Sequence, residues 1–177
     1  VPSEDGEGSG GRRYMDFQGI VAVQCPDLCR IEAHPLFLVV KDCPGLHQIR
    51  LRNNPRLVHL EGCPKLQSLP QSFVGVKGHL VLKDMEAFRF GIAPLVIEGD
   101  LRIRNCPAIE ELPPLTVGGS LRVQDKGGLK RLQRAVILKD LDLRDCPGLE
   151  GLPSDLTVGR RILLPPHLIR LPPTPPT

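Results

Sequence analysis

Five of the six cysteines in this chain stand immediately before a proline, and the spacing of these Cys-Pro pairs shows that the chain is built from repeats. The sequence from Leu141 to Pro153 reads L-x-L-x-x-C-P-x-L-x-x-L-P, and the same apolar skeleton returns at intervals near 20 residues, in seven or eight units. The cysteines in this position are Cys25, Cys43, Cys63, Cys106 and Cys146. A unit this short cannot bury its leucines alone, so the units are expected to stack into one continuous core.

The start of each unit alternates leucine with other residues, which predicts a short β-strand with one buried face. No segment carries apolar residues three and four apart over three helical turns. The second half of a unit, as in residues 115–120, predicts a short extended piece followed by a turn at Gly118 and Gly119. We therefore predict a mainly β fold, a curved solenoid of parallel strands with little helix.

One segment fits the template out of step with the rest. Ile49, Leu51 and Asn54 repeat the pattern about halfway between Cys43 and Cys63. Because the two partial intervals add up to one period, we predict that this segment is the back half of an ordinary unit. The alternative is an ambiguous register at this point.

These features resemble the leucine-rich repeat family, whose hallmark is L-x-x-L-x-L-x-x-[N/C]-x-L. The short period and the Leu-Pro pairs, clearest over residues 152–172, are similar to the repeats of bacterial secreted effectors. Repeats of plant intracellular immune receptors share the Cys-Pro phrase but are longer and keep a first leucine that is here often polar or glycine, as at Glu98 and Gly118. The resemblance implies a leucine-rich-repeat domain over residues 18–172 that binds a partner protein through its concave face.

The repeated cysteine occupies the Asn/Cys position of that hallmark, where the resemblance implies an inward side chain that bonds neighbouring backbone. A buried thiol suits this position because it is a small hydrophobe with a weak donor. Two alternatives stay open: Cys43 and Cys63 lie within disulfide reach at strand spacing, and Cys25, Cys29 and His34 form part of a metal-ligand set. We predict reduced thiols, no metal and no cofactor, which favours a cytoplasmic location in a bacterium or a host cell.

The residues between and after the strand leucines are expected to face outward on the concave side, and basic side chains gather on one part of it. These are Lys83, Arg102, Arg104, Arg122 and Arg144. Arginine makes bidentate contacts to carboxylates, so we predict that these five residues bind an acidic surface of a partner protein. The alternatives are a solvated face paired with nearby aspartates, and nucleic acid, which those aspartates would repel.

Aspartates recur where the strands end, and we expect them to make turn hydrogen bonds rather than to bind calcium. They are Asp42, Asp84, Asp125 and Asp145.

The composition narrows the function classes further. Aromatic residues make up 3% of the chain, which argues against an aromatic-lined ligand pocket and against base stacking. The net charge of +3 is too small to indicate a nucleic-acid binder, and no apolar run approaches the ~18 residues of a membrane span. We predict a protein-binding module without enzymatic activity. The rivals are a structural or adhesive repeat array, and an enzyme with a thiol nucleophile, which would need a cysteine of low pKa.

The two ends differ from the repeats. Glycine, serine and acidic residues dominate the first part of residues 1–17. We therefore predict that residues 1–17 form a flexible flank. Residues 173–177 form a proline-rich tail, in which Arg170, Pro173 and Pro176 match the spacing of one class of SH3 ligand. A stiff linker is the alternative interpretation of this tail.

Overall fold

The computed structural model describes residues 19–125 and 127–169, together with the backbone of residues 13–15. The chain is a parallel β-solenoid of about seven turns, each of about 20 residues, and helix makes up only 2% of the part that the structure describes. The strands are β1 (Arg13–Met15), β2 (Gly19–Val23), β3 (Arg30–Ala33), β4 (Phe37–Lys41), β5 (Gln48–Leu51), β6 (Leu57–Glu61), β7 (Gly75–Val76), β8 (His79–Lys83), β9 (Leu95–Ile97), β10 (Leu101–Arg104), β11 (Glu111–Leu112), β12 (Leu115–Val117), β13 (Leu121–Gln124), β14 (Arg131–Leu132), β15 (Ala135–Ile137), β16 (Leu141–Asp145), β17 (Thr157–Val158) and β18 (Ile162–Leu163). One 3-10 turn follows at Pro166–Leu168.

One large sheet runs the length of the solenoid, and we call it the front sheet. Its eight parallel strands lie in the order β18-β16-β13-β10-β8-β6-β4-β2. The other halves of the turns form smaller parallel sheets, in the orders β17-β15-β12-β9-β7, β11-β14 and β1-β3-β5. The prediction of a mainly β solenoid with little helix is confirmed, and the piece predicted to be merely extended is itself a stacked strand in most turns.

The strand leucines stack in register, as the repeat predicts. Leu101 pairs with Leu121, which pairs in turn with Leu141, and all three side chains are fully buried. Along each strand the buried residues alternate with outward ones because successive side chains of a strand point to opposite faces. The core is therefore a set of aliphatic columns, each unit covering the next.

The segment around Ile49 belongs to the back of its turn. Strand β5 pairs with β3, Ile49 opposite Ile31, while β4 pairs directly with β6 in the front sheet. The prediction that this segment is the back half of an ordinary unit is therefore confirmed.

The repeated cysteine turns inward where the chain leaves each front strand. Cys43, Cys63, Cys106 and Cys146 are buried, and Cys25 in the first turn is partly exposed. The thiol of Cys106 lies 3.4 Å from the carbonyl oxygen of Arg104, two residues earlier, and Cys25, Cys43 and Cys63 make the same contact at 3.3–3.4 Å. The thiol of Cys146 instead lies 3.4 Å from the carbonyl oxygen of Val123, in the preceding turn. The inward placement and the bond to neighbouring backbone are confirmed, and all six thiols are free in the structure.

A ladder of side chains along one corner of the solenoid ties consecutive turns together from His79 to Arg161, and the sequence did not predict it. The backbone N–H of Asp100 donates to Nδ1 of His79, at 2.9 Å, and the N–H of Ser120 donates to Oδ1 of Asp100, at 2.9 Å. The N–H of Asp140 then donates to Oγ of Ser120, and the N–H of Arg161 to Oδ1 of Asp140, at 3.3 and 3.2 Å. These bonds satisfy backbone donors that the tight corner would otherwise leave without strand partners.

The flank predicted over residues 1–17 contains one strand of the solenoid, because β1 pairs with β3. The predicted SH3-type residues Arg170, Pro173 and Pro176, and the tail at 173–177, lie outside the described residues. Within the described part of the chain, no helix is long and apolar enough to cross a membrane.

Candidate functional site

The outward side of the front sheet, which we call the front face, places four of the five predicted site residues at paired strand positions. Arg102 on β10 lies opposite Arg122 on β13, and Arg104 lies opposite Lys83 on β8. Adjacent strands are about 4.8 Å apart, so these four cations occupy neighbouring positions on three consecutive strands. We call Lys83, Arg102, Arg104 and Arg122 the cationic patch.

Arg144 shares a carboxylate partner with Arg122 but does not occupy the strand position predicted from the sequence columns. Strand β16 shifts its register between its pairings with Arg122 and Gln124, so that Asp145 rather than Arg144 pairs with Gln124. Such an irregularity re-aims the side chains that follow it. The guanidinium of Arg144 instead binds Asp142 with two hydrogen bonds, Nε to Oδ1 at 3.0 Å and Nη2 to Oδ2 at 2.9 Å.

Asp142 neutralises part of the basic charge on this side of the patch. The hydrogen bonds from Arg144 lower the pKa of Asp142 and raise the pKa of Arg144. Nε of Arg122 lies 3.7 Å from the same carboxylate. The carboxylate of Asp142 therefore faces both Arg122 and Arg144, and its two-hydrogen-bond contact is with Arg144.

Glu61 neutralises charge at the other side of the patch. Nζ of Lys83 donates to Oε1 of Glu61 at 2.6 Å, and Nζ of Lys41 lies 3.5 Å from Oε2. His59 contacts Oε2 at 3.1 Å. The hydrogen bond from Lys83 is the main reason that the pKa of Glu61 falls to about 2 and that the pKa of Lys83 rises.

Arg102 and Arg104 remain the most available cations of the patch. Among the described residues Arg102 has a single ion-pair contact, Nη2 to Oδ2 of Asp100 at 3.4 Å, and its side chain is 66% exposed. Arg104 is exposed and, among the described residues, makes no side-chain hydrogen bond or ion pair. Strand β10 therefore presents two guanidinium groups, two residues apart, toward the same face.

At the ends of the front strands, the backbone conformation favours Asp and Asn. Asp42, Asp84 and Asn105 each have φ of +52°, in the left-handed region that Asp and Asn tolerate better than most residues. Of the aspartates expected to make turn bonds, Asp125 does so, since its Oδ2 accepts the N–H of Leu129 at 3.1 Å. Asp145 instead accepts a hydrogen bond from Gln124 across strands.

A cavity of about 420 Å³ adjoins Arg104 at these strand ends. Its lining residues are Asp84, Arg104, Asn105, Gln124, Asp125 and Asp145. Three carboxylates line this cavity with Arg104, but none of them, among the described residues, lies within ion-pair distance of its guanidinium. Within residues 19–125 and 127–169, no group of three His, Cys, Asp or Glu side chains is placed to hold a metal ion.

A second cavity, of about 660 Å³, was not expected from the low aromatic content. Phe73, Phe88 and Phe90, three of the five phenylalanines, line it, and the rings of Phe88 and Phe90 meet edge to face at 5.3 Å. Ile92 at its margin is 91% exposed. The signal in the sequence was the run from Phe88 to Phe90, which replaces the usual Leu-x-x-Leu-Pro of the unit.

The buried thiols are poorly suited to nucleophilic chemistry. Burial raises the pKa of Cys63 and of Cys106 to about 11, and the pKa of Cys146 to about 12. Since the thiolate is the reactive form, these three cysteines are held in the unreactive state near neutral pH.

In comparisons with models of protein families, with curated proteins and with solved structures, nothing matches this chain. The parallel β-solenoid class is defined by the strand pairing alone. The chemistry of the front face therefore has to carry any functional conclusion.

Proposed function

We propose that this solenoid is a protein-recognition module of the leucine-rich-repeat type, with short repeats like those of bacterial secreted effectors, and that its front face binds an acidic surface of a partner protein. A repeat fold suits this role because the rigid stack holds outward side chains at fixed spacings over a long surface. The buried residues of the front sheet carry the fold, which leaves the outward residues open to vary with the partner.

The observation that carries this proposal is the state of Arg102 and Arg104. Most exposed charges on the front face have a partner within the molecule, but Arg104 has none among the described residues and Arg102 has one long contact. Side by side on β10, the two guanidinium groups match a pair of carboxylates or one bidentate carboxylate. Lys83 and Arg122 extend the positive field on either side, which would speed encounter with an acidic partner.

A second candidate, a structural or adhesive array, is favoured by a different observation. Glu61 engages Lys83, and Asp142 engages both Arg122 and Arg144, so much of the front face satisfies its own charges. A surface of that kind needs no partner to compensate its charge. Under this alternative, Arg102 and Arg104 are ordinary solvated side chains and their replacement is without consequence.

A capture experiment separates the two candidates. Wild-type protein and the Arg102→Glu/Arg104→Glu variant serve as baits in lysates, and bound proteins are identified by mass spectrometry. The matched control is Arg89→Glu/Arg134→Glu, which changes the charge equally at exposed arginines off the front sheet. We expect a protein that the wild type and the control retain and the front-face variant loses, with unchanged far-UV circular dichroism. If all three baits retain the same set of proteins, the proposal is contradicted.

A further inference from the structure

The column of buried leucines at the back of the solenoid breaks in one turn. Strands β9, β12 and β15 pair in register, and Ile92, Leu112 and Leu132 each stand three residues before the first residue of their strand. Leu112 and Leu132 are 0% and 7% exposed, whereas Ile92 is 91% exposed. The turn that contains Ile92 therefore lacks the inward side chain that fills this position in the next two turns.

A longer connection explains why Ile92 lies outside the core. Phe88 and Ile109 hold the same position after the paired strands β8 and β10, but one more residue separates Phe88 from β9 than separates Ile109 from β12. In the next two turns this connection forms the paired strands β11 and β14, whereas residues 88–94 form no strand. The extra residue lets the connection move away from the core.

The space left beside this connection is the cavity of about 660 Å³. It is built by two consecutive turns, which both lie within residues 19–125, a range that the structure describes without a gap. A cavity of about 300–1,000 Å³ with a mostly apolar lining and a few polar groups is the usual form of a small-molecule site. The large apolar side chains that line this cavity are Leu69, Phe73, Phe88, Phe90, Ile92 and Leu95.

Arg89 is the one charged residue among the described residues that line the cavity. Its backbone N–H donates to the carbonyl oxygen of Gln67 at 2.8 Å, which holds its backbone against the preceding turn. Its side chain is exposed and makes no hydrogen bond or ion pair with a described residue. The other polar side chains of the lining, Ser68 and Gln71, are uncharged. A lone guanidinium at an apolar cavity complements a ligand with an apolar body and one negative charge.

We propose that this cavity binds a small apolar carboxylate of the medium-chain fatty-acid class. The alkyl chain packs against the rings of Phe73, Phe88 and Phe90, which removes apolar surface of ligand and protein from water. The carboxylate pairs with the guanidinium of Arg89, which is able to donate two parallel hydrogen bonds to it. A cationic amphiphile does not fit, because no acidic side chain lines the cavity among the described residues. The cavity lies off the front sheet, so this inference does not depend on the proposed partner binding.

Isothermal titration calorimetry with decanoate, below the concentration at which it forms micelles, tests the site. We expect one decanoate bound per chain and no binding of decylammonium, which has a similar alkyl chain and the opposite charge. Arg89→Gln is expected to weaken decanoate binding about tenfold, because a charge-assisted contact is lost. Arg134→Gln, at an exposed arginine that does not line the cavity, is expected to bind decanoate as the wild type does. Absence of decanoate binding, or equal affinity of Arg89→Gln and the wild type, would overturn the proposal.

Nuclear magnetic resonance of the isotope-labelled wild type tests where decanoate binds. Amide signals are expected to shift in residues 68–73 and 88–95, which belong to the two turns around the cavity. Leu69→Trp places a bulky side chain in the cavity lining and is expected to abolish binding, with unchanged far-UV circular dichroism. The resonance experiment needs only the wild type, so it decides the location even where Leu69→Trp disturbs the fold. Shifts confined to other parts of the chain, or full affinity of folded Leu69→Trp, would refute this site.

Discussion

Replacing Leu121 by alanine measures how much one turn of the solenoid depends on its stacked leucine column. Leu121 is fully buried, between Leu101 and Leu141, which are also fully buried. The change removes three carbon groups worth about 0.8 kcal/mol each, or about 2.4 kcal/mol of transfer free energy. The stacked neighbours cannot collapse into the space without breaking their own pairing, so the cavity term raises the loss to about 3–4 kcal/mol.

Leu138→Ala is the matched control, because Leu138 is 58% exposed. It loses less than half of the transfer free energy and leaves no closed cavity, so we expect about 1 kcal/mol or less. Urea unfolding followed by far-UV circular dichroism would measure both. With a slope of about 2 kcal/mol per molar urea, Leu121→Ala lowers the midpoint by about 1.5–2 M and Leu138→Ala by about 0.5 M or less. Equal shifts for the two variants would refute the burial pattern and with it the register of the stack.

Three further outcomes follow from the same structure. Burial raises the pKa of Cys146 to about 12, so its thiol is expected to react slowly with a disulfide reagent in the folded protein and rapidly after denaturation; fast reaction in the fold would contradict its buried position. Lys83 lowers the pKa of Glu61 from 4.5 to about 2, so this carboxylate stabilises the fold above about pH 4.5 and the contribution is lost as the pH falls toward 2. Thermal melts of Glu61→Gln are therefore expected to lack part of the wild-type pH dependence in that window, and identical profiles would count against the ion pair. A Cβ on Gly118 would lie 2.3 Å from the carbonyl oxygen of Glu98, so Gly118→Ala is expected to cost about 1–3 kcal/mol in urea unfolding, and an unchanged midpoint would show that the turns approach less closely.

The fold was predictable because the same apolar pattern recurs in seven or eight units. The alternation around Leu101, Leu121 and Leu141, with the Cys-Pro pair after it, predicts both the front strand and the inward thiol. The corner ladder through Asp100 and Ser120 could not be predicted, because it joins a side chain in one turn to a backbone group about 20 residues away. Only the stacked structure shows that those two positions meet.

The candidate site was predictable in position but not in charge balance. Sequence columns placed Lys83, Arg102, Arg104 and Arg122 together, and the strand register agrees. The columns failed at Arg144, because an irregularity in β16 leaves no mark in the spacing of the leucines. Which cations are already neutralised by their own neighbours depends on side-chain geometry, which a repeat alignment does not contain.

The most direct test of front-face recognition is a charge-swap experiment with the captured partner. Arg104→Glu is expected to weaken the affinity, measured by calorimetry, at least about tenfold, because attraction to a partner carboxylate becomes repulsion. Changing that carboxylate residue of the partner to arginine is then expected to restore binding to Arg104→Glu and to weaken binding to the wild type. If Arg104→Glu binds the partner as tightly as the wild type does, Arg104 is not part of the recognition site and the proposed role of the front face is contradicted.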